Sequence, residues 1–375
     1  MGLIAKKPIA IEGNLTLELK IDSLAPQAEE RRSRTLPAEW YPQSGVQLTW
    51  PHAGTDWAPM LAEVTECYVR MAYEIASRER LLIVTPEPDA VRRLLAERLP
   101  SRVVENVTLF DCPTDDTWAR DHGFLTVVGE RRPELLDFRF DGWGGKFPAD
   151  RDNAINLRLH EAGIVKGDYV PHLDFTLEGG SIESDGRGTI LTTSACLLNP
   201  NRNPGLSRAE IEERLHAWLG TERVLWLDHG HLAGDDTDSH VDTLARLCPD
   251  DTIAYVRCDR PDDPHYADLQ AMEAQLQSFR TAAGKPYRLV PLPWPDAICD
   301  GGERLPATYA NFLVMNGAVI YPTYNQPAND AQAAQVLQKA FPGREVVGID
   351  CRALIRQHGS LHCVTMQYPE CVGIG

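Results

Sequence analysis

Four short stretches of this chain gather polar residues around glycine in a way that core packing does not require. They are PTDDTWARDHG (113–123), LEGGSIESDG (177–186), HGHLAGDDTDSHVDTLAR (229–246) and HGSLHCVTMQYP (358–369). In the last, Cys363 follows Gly359 at a loop-to-strand junction, where the backbone can bring a thiol into a cleft. Thiolate is the nucleophilic form, and a neighbouring cation or base lowers the ordinary thiol pKa of about 8.5 into a working range. The competing reading is a buried structural cysteine. His362 is set aside as the base, because adjacent residues on a strand face opposite ways.

His240 and Asp242 are two apart, so on an extended segment both face one side. That suits a general acid/base histidine beside a carboxylate that holds a cation. Asp235, Asp236 and Asp238 read as a solvated acidic loop. Asp121 follows Trp118-Ala119-Arg120, and Glu178 precedes Gly179-Gly180, where the backbone can approach a ligand closely. Taken singly, each reads equally as half of an ion pair; together they make three carboxylates, one histidine and one thiol.

Several acids around a thiol raise its pKa, which defeats a nucleophile meant for a neutral ester or amide. A cationic substrate removes the objection. A guanidinium is planar, always charged and pairs with carboxylates through two bonds, so its central carbon can be fixed in front of the sulfur. Zinc or iron is the rival use of His229, His231, His240, Asp235 and Asp242, but their spacing fits no H-E-x-x-H signature. DGWGGK (141–146) lacks the spacing of a phosphate-binding loop and reads as a turn packed by Trp143.

The elements that must carry these stretches alternate. Apolar residues at Leu61, Val64, Tyr68, Met71 and Ile75 recur at helical period over 58–77, and 81–85 reads as a buried strand closed by Pro86. SRAEIEERLHAWLG holds a capping box (Ser207, Glu210), with Leu206 stapling onto Ile211 and Gly220 as the stop. A third helix is expected over 331–341 with Asp330 as its cap. Strands are expected at 107–110, 135–140, 190–193, 224–227, 253–256, 319–321 and 346–349. Such alternation means an α/β fold. No internal repeat is defensible by eye. Residues 1–35 read as an N-terminal arm or edge hairpin, and 36–375 as a single catalytic domain.

The 375 residues allow a sizeable core, and 43% hydrophobic with 24% charged residues excludes a disordered chain. No apolar run approaches the roughly 18 residues of a membrane span, and the N-terminus lacks the features of a secretory signal. Lys plus Arg is 37 against 54 Asp plus Glu, a net charge of −17 that repels nucleic acid and anionic membrane. Nine cysteines, an odd number without a C-x-x-C pair, suit a reducing compartment. The expectation is a cytoplasmic protein.

The chain resembles the agmatine deiminase and bacterial-type peptidylarginine deiminase family of the guanidino-group-modifying pentein superfamily, from about residue 36 to 369. The resemblance rests on PAEWYPQ, LTWPH, DDTWARD, DGWGGK, LEGGSIESDGRGTILTTSACLLNPNRNP, DDTDSHVDTLAR, PATYANFLVMNGAVIYP and LHCVTMQYP, in the family's order. It implies a five-bladed α/β propeller with pseudo-fivefold symmetry. It makes Cys363 the nucleophile, His240 the general acid/base, Asp121 and Asp242 the guanidinium clamp, Glu178 a support for the guanidinium or for His240, and Trp118 a pocket wall. It implies no metal or organic cofactor, a small cationic guanidino substrate, and hydrolysis of agmatine to N-carbamoylputrescine and ammonia in putrescine biosynthesis; homo-oligomers are compatible with it.

The chain departs from the family's pattern at His122-Gly123 after the Arg-Asp pair, at Ser239, at Ser360-Leu361 before His362-Cys363, and at Met366-Gln367. Free arginine, peptidyl arginine or another guanidine therefore stay open as substrates. An amidinotransferase and a non-catalytic guanidino-compound binding protein are the further alternatives.

Overall fold

The computed structural model describes residues 34–375. The proposed arm over 1–35 thus lies outside the described residues except for its last two, of which Thr35 bridges to Val128.

Five sheets share one construction. In four of them a short strand pairs antiparallel with the next strand, and a helical crossover returns the chain to a third strand parallel to the second. These are Leu125–Val127, Glu134–Arg139 and Asp168–Thr176; Ile182–Ser184, Thr189–Thr193 and Arg223–Leu227; Ala245–Cys248, Thr252–Val256 and Arg288–Leu292; and Leu313–Met315, Ala318–Thr323 and Glu345–Asp350. In the fifth an early and a late strand of the described residues meet. The late strand Thr365–Pro369 lies antiparallel to Gln43–Thr49, which runs parallel to Arg80–Thr85 and, through it, to Val107–Asp111. The sequence shows no repeat because packing constrains only apolar pattern and turn chemistry, which many residue choices satisfy.

The expected elements form for the expected reasons. Val64, Tyr68, Met71 and Ile75 make the buried face of the helix Leu61–Ala76. Arg80–Thr85 is flanked by parallel strands and buried beyond its first residue, hence its unbroken apolar run. The helix Arg208–Leu219 has the capping box of Ser207 and Glu210 and ends at Gly220, whose φ of 65° is left-handed. The third helix differs from expectation. It starts at Pro327, and Asp330 sits inside its first turn, where its carboxylate accepts hydrogen bonds from Tyr309, Tyr324 and Gln326. Proline at the first position opens a helix without needing a side-chain cap.

One regularity positions the site. Asp121 lies four residues before the short strand Leu125–Val127, Glu178 four before Ile182–Ser184, and Asp242 three before Ala245–Cys248. Asn311 lies two before Leu313–Met315 and Cys363 two before Thr365–Pro369. Each sheet thus contributes one polar residue from the same place in its own construction.

Candidate active site

Cys363 stands in the turn that enters Thr365–Pro369 and is 3% exposed. Two neighbours fix that turn. The Cys363 carbonyl accepts from the Arg120 amide at 3.1 Å, and Asn311 Oδ1 accepts from the His362 amide at 2.9 Å and from the Cys363 thiol at 3.4 Å. Cys363 lines an open cleft of about 580 Å³ together with Trp118, Trp143, Phe147, His358 and the carboxylates Asp56, Asp116 and Asp236; Asp116 is held in the wall, accepting from the Trp57 and Trp118 indoles at 2.9 Å each. Gly359 lets the Trp118 wall close in: a Cβ there would lie 2.0 Å from the indole Cζ3.

The carboxylates are held by donors that leave particular atoms free. Asp121 accepts from the Trp143 indole at 3.0 Å and from the Gly180 amide at 3.1 Å, and lies 3.6 Å from His240 Nδ1. Asp242 Oδ2 is 2.7 Å from His362 Nδ1, while its Oδ1 has no hydrogen-bond partner among the described residues. Asp121, Asp242 and His240 converge at Gly180, where a Cβ would lie between 2.6 and 3.1 Å from an atom of each. Glu178 accepts from Arg202 Nε at 2.7 Å through Oε1, and its Oε2 lies 3.9 Å from His240 Nε2. The structure therefore brings together Cys363, His240, Asp121, Asp242, Glu178 and Trp118.

Burial, reinforced by the charges of Asp242 and Asp121, pushes the Cys363 thiol far above its ordinary pKa. Burial acts against a charged His240, but Asp121, Cys196 and Glu178 outweigh it and hold the imidazole well above its usual range. Asp121 itself is raised to about 6, by burial first and then by Asp242 and Glu178. Asp242 and Glu178 stay low against the same burial, the first through His362 and the second through His240 and Arg202. A cation entering this site would pair with Asp242 and Asp121 and so offset the carboxylate charges that add to burial in keeping the thiol neutral.

A second layer escaped the reading of the sequence. Arg246, fully buried, donates to Glu183, to Glu39 at 2.8 Å and to the carbonyls of Ala310 and Phe312. Glu39 reaches His362 Nε2 at 2.6 Å, so His362 bridges two carboxylates. The strand argument fails for His362 because 361–364 is a turn, not a strand. Asp235 and Asp238 are not merely solvated: Asp235 accepts from the Thr237 hydroxyl and the Ser239 amide, and Asp238 pairs with Arg202 and Lys146. Trp143 does more than pack its turn, since its indole holds Asp121. Asn311 lies in PATYANF, and its one available signal was membership in that stretch.

The model of the Porphyromonas-type peptidyl-arginine deiminase family matches residues 35–369. The "Putative agmatine deiminase" of Marinomonas sp. (strain MWYL1) is 34% identical over 89% of this chain and 94% of its own, and that of Vibrio parahaemolyticus is 35% identical over 89% and 96%. Among solved structures, the "Putative Arginine Deiminase" of Porphyromonas gingivalis is 53% identical with a TM-score of 0.86, over 91% of this chain and 100% of that one. A cysteine-to-serine variant of C. jejuni agmatine deiminase with substrate bound is 37% identical with a TM-score of 0.83, over 90% and 96%. The motifs that carried the resemblance, the folded core and the convergent polar residues all fall within one matched span, and the chain belongs to the Porphyromonas-type peptidyl-arginine deiminase family.

Proposed function

We propose that this chain is an agmatine deiminase, converting agmatine and water to N-carbamoylputrescine and ammonia as a step toward putrescine. Its catalytic domain would comprise residues 36–375, with the five sheets as blades of a pentein propeller, in the cytoplasm. The observation that carries the reading is the charge of the cleft from end to end. Cys363 lines it, with Asp121, Asp242 and His240 converging at Gly180; the exposed Asp56 and half-buried Asp236 face its open side, Asp116 is held in its wall by two indoles, and His358 is the one basic side chain among its described lining residues. Agmatine carries a cation at each end. Free arginine would bring a carboxylate to the acidic mouth, a like-charge contact that disfavours it.

In this mechanism Asp121 and Asp242 take the guanidinium, whose charge favours ionisation of Cys363, the thiol proton passing to solvent because His240 is already protonated. The sulfur attacks the guanidinium carbon and forms a C–S bond. His240 gives its proton to one terminal nitrogen, which leaves as ammonia and leaves an amidino-cysteine. Water activated by the now neutral His240 then adds to the same carbon, the C–S bond breaks, and the thiol and the ureido product are released. Glu178 keeps His240 charged until it is needed, and Trp118 confines the alkyl chain.

A second reading, hydrolysis of free or peptidyl arginine, is favoured by the 53% identity to the P. gingivalis protein named "Putative Arginine Deiminase". Ammonia release from agmatine, arginine, an arginine peptide and methylated arginines, with Cys363→Ala alongside, separates them. Release chiefly from agmatine, abolished by the substitution, supports the proposal. Release chiefly from arginine or the peptide replaces it, and full turnover by Cys363→Ala sinks the mechanism.

A further inference from the structure

Glu178, Cys196 and His240 each present a ligand atom within 4.8 Å of the other two, and all three are buried. The mechanism above uses Glu178 and His240 and gives Cys196 no part. Cys196 lies in the short helix Ser194–Leu197, which is tied to the loop carrying His240: the Thr193 hydroxyl caps the Cys196 amide at 3.3 Å and donates to the Ser239 carbonyl at 2.7 Å. One hydroxyl thus joins the helix to the residue before His240.

Buried polar atoms are ordinarily paired. Here both ring nitrogens of His240 and Glu178 Oε2 have no hydrogen-bond partner among the described residues, although both side chains are fully buried. Arg202 takes only Oε1 of Glu178, which leaves Oε2 turned to His240 Nε2 at 3.9 Å. The second such group, Glu39, Glu183 and His362, differs in this respect. The Arg246 guanidinium pairs with both of its carboxylates and lies 3.1 Å from His362 Nε2, so its charge is already matched.

We propose that Glu178, Cys196 and His240 form an inhibitory site for zinc. One sulfur, one imidazole nitrogen and one carboxylate oxygen are a borderline-soft donor set of the kind zinc takes, whereas calcium and magnesium want oxygen alone. Tetrahedral bonds of about 2.0–2.3 Å place ligand atoms roughly 3.3–3.6 Å apart, so the 3.9 Å between Glu178 Oε2 and His240 Nε2 needs to close by only a few tenths of an ångström, while the Cys196 sulfur, within 4.8 Å of both, moves in by up to about 1 Å. The thiolate of Cys196 and the carboxylate of Glu178, the latter shared with Arg202, supply negative charge to the ion, and water completes its coordination. Binding expels the proton from the thiol and from any imidazolium, since zinc takes only the deprotonated ligands. With His240 Nε2 on the metal, the proposed reaction loses its proton carrier.

Cobalt(II) serves as the probe, because a thiolate ligand gives it a near-ultraviolet charge-transfer band. Titrated into the metal-free full chain, it should produce a band that saturates at one equivalent, persists in Cys363→Ala and is missing in Cys196→Ala. Zinc should inhibit ammonia release from agmatine, and the concentration for half-inhibition should rise about tenfold or more in Cys196→Ala, as loss of a ligand demands. Circular dichroism checks that this variant folds, and Cys196→Ser replaces it if it does not. A band that survives both Cys196 substitutions, disappears in Cys363→Ala or never saturates overturns the site. The band reports binding without turnover, so a silent substrate panel with the band intact would sink the proposed function and leave the metal site standing.

Discussion

His362 Nδ1 lies 2.7 Å from Asp242 Oδ2, and the same ring places Nε2 2.6 Å from Glu39 Oε2. The residue beside the nucleophile therefore aims a carboxylate of the clamp and anchors it to the buried Arg246. Asparagine mimics the Nδ1 donor of histidine and glutamine the Nε2 donor. His362→Asn should retain most activity by keeping the contact to Asp242. His362→Gln should lower kcat/KM for agmatine about 10²-fold, the cost of a misplaced positioning group. Equal losses in the two variants would show that the contact to Asp242 is not what matters.

Gly359 is set by a neighbour and not by its own backbone, since a Cβ would strike Trp118 at 2.0 and 2.5 Å. Gly359→Ala should displace the indole and raise KM for agmatine by about tenfold or more while the melting temperature falls little. Gly145→Ala is the control. It meets nothing within 4 Å but has φ +76°, so it should cost about 1 kcal/mol of stability with KM unchanged.

Asp121 titrates at about 6 because it is buried, with Asp242 and Glu178 adding to the shift. A guanidinium needs the carboxylate, so kcat/KM should fall as pH drops through about 6. The Trp143 indole donates to that carboxylate and favours its charged form. Trp143→Phe should therefore move the acid limb to higher pH; a limb that stays in place or moves down would mean another group sets it. The raised pKa also makes ionised Asp121 a cost to the fold, fully present above about pH 6 and relieved as pH falls through the folded and then the unfolded value. Asp121→Asn should lose turnover, and it also takes from the buried His240 imidazolium its first charge partner.

The mouth of the cleft gives a prediction about discrimination. Asp236 lines it, and burial raises its pKa only in part against the pull of His358. Asp236→Asn should raise KM for agmatine roughly fivefold, as loss of a partly exposed ion pair worth up to about 1 kcal/mol implies. Turnover of free arginine should not fall. Matching losses on the two substrates would remove Asp236 from specificity.

Much of the chemistry was legible because reactive residues carry their own signature. A cysteine, a histidine and carboxylates beside glycines mark themselves in any order along the chain, and the acid-rich set itself called for a cationic substrate. The short apolar runs of the inner strands and the capped helix were legible because apolar pattern and cap chemistry are local. The helices Pro88–Arg98 and Tyr266–Ser278, which bury only two and three residues respectively, the strands Gln43–Thr49 and Asp168–Thr176, and the three- and four-residue strands that introduce the site were not; a strand as short as the last has no measurable period.

What only the tertiary structure decided is which of these residues share an environment. Asp121, Glu178, Asp242, Asn311 and Cys363 span some two hundred and forty positions, yet each enters from the same place in its own sheet. Asn311 had no chemical mark of its own, and His362 was misjudged by a strand rule applied to a turn. Glu39, Arg202 and Arg246 act through partners between 24 and 323 residues away. Residue type fixes what a side chain is able to do; burial and distant charge, which fix its pKa and its free lone pairs, exist only once the chain has folded.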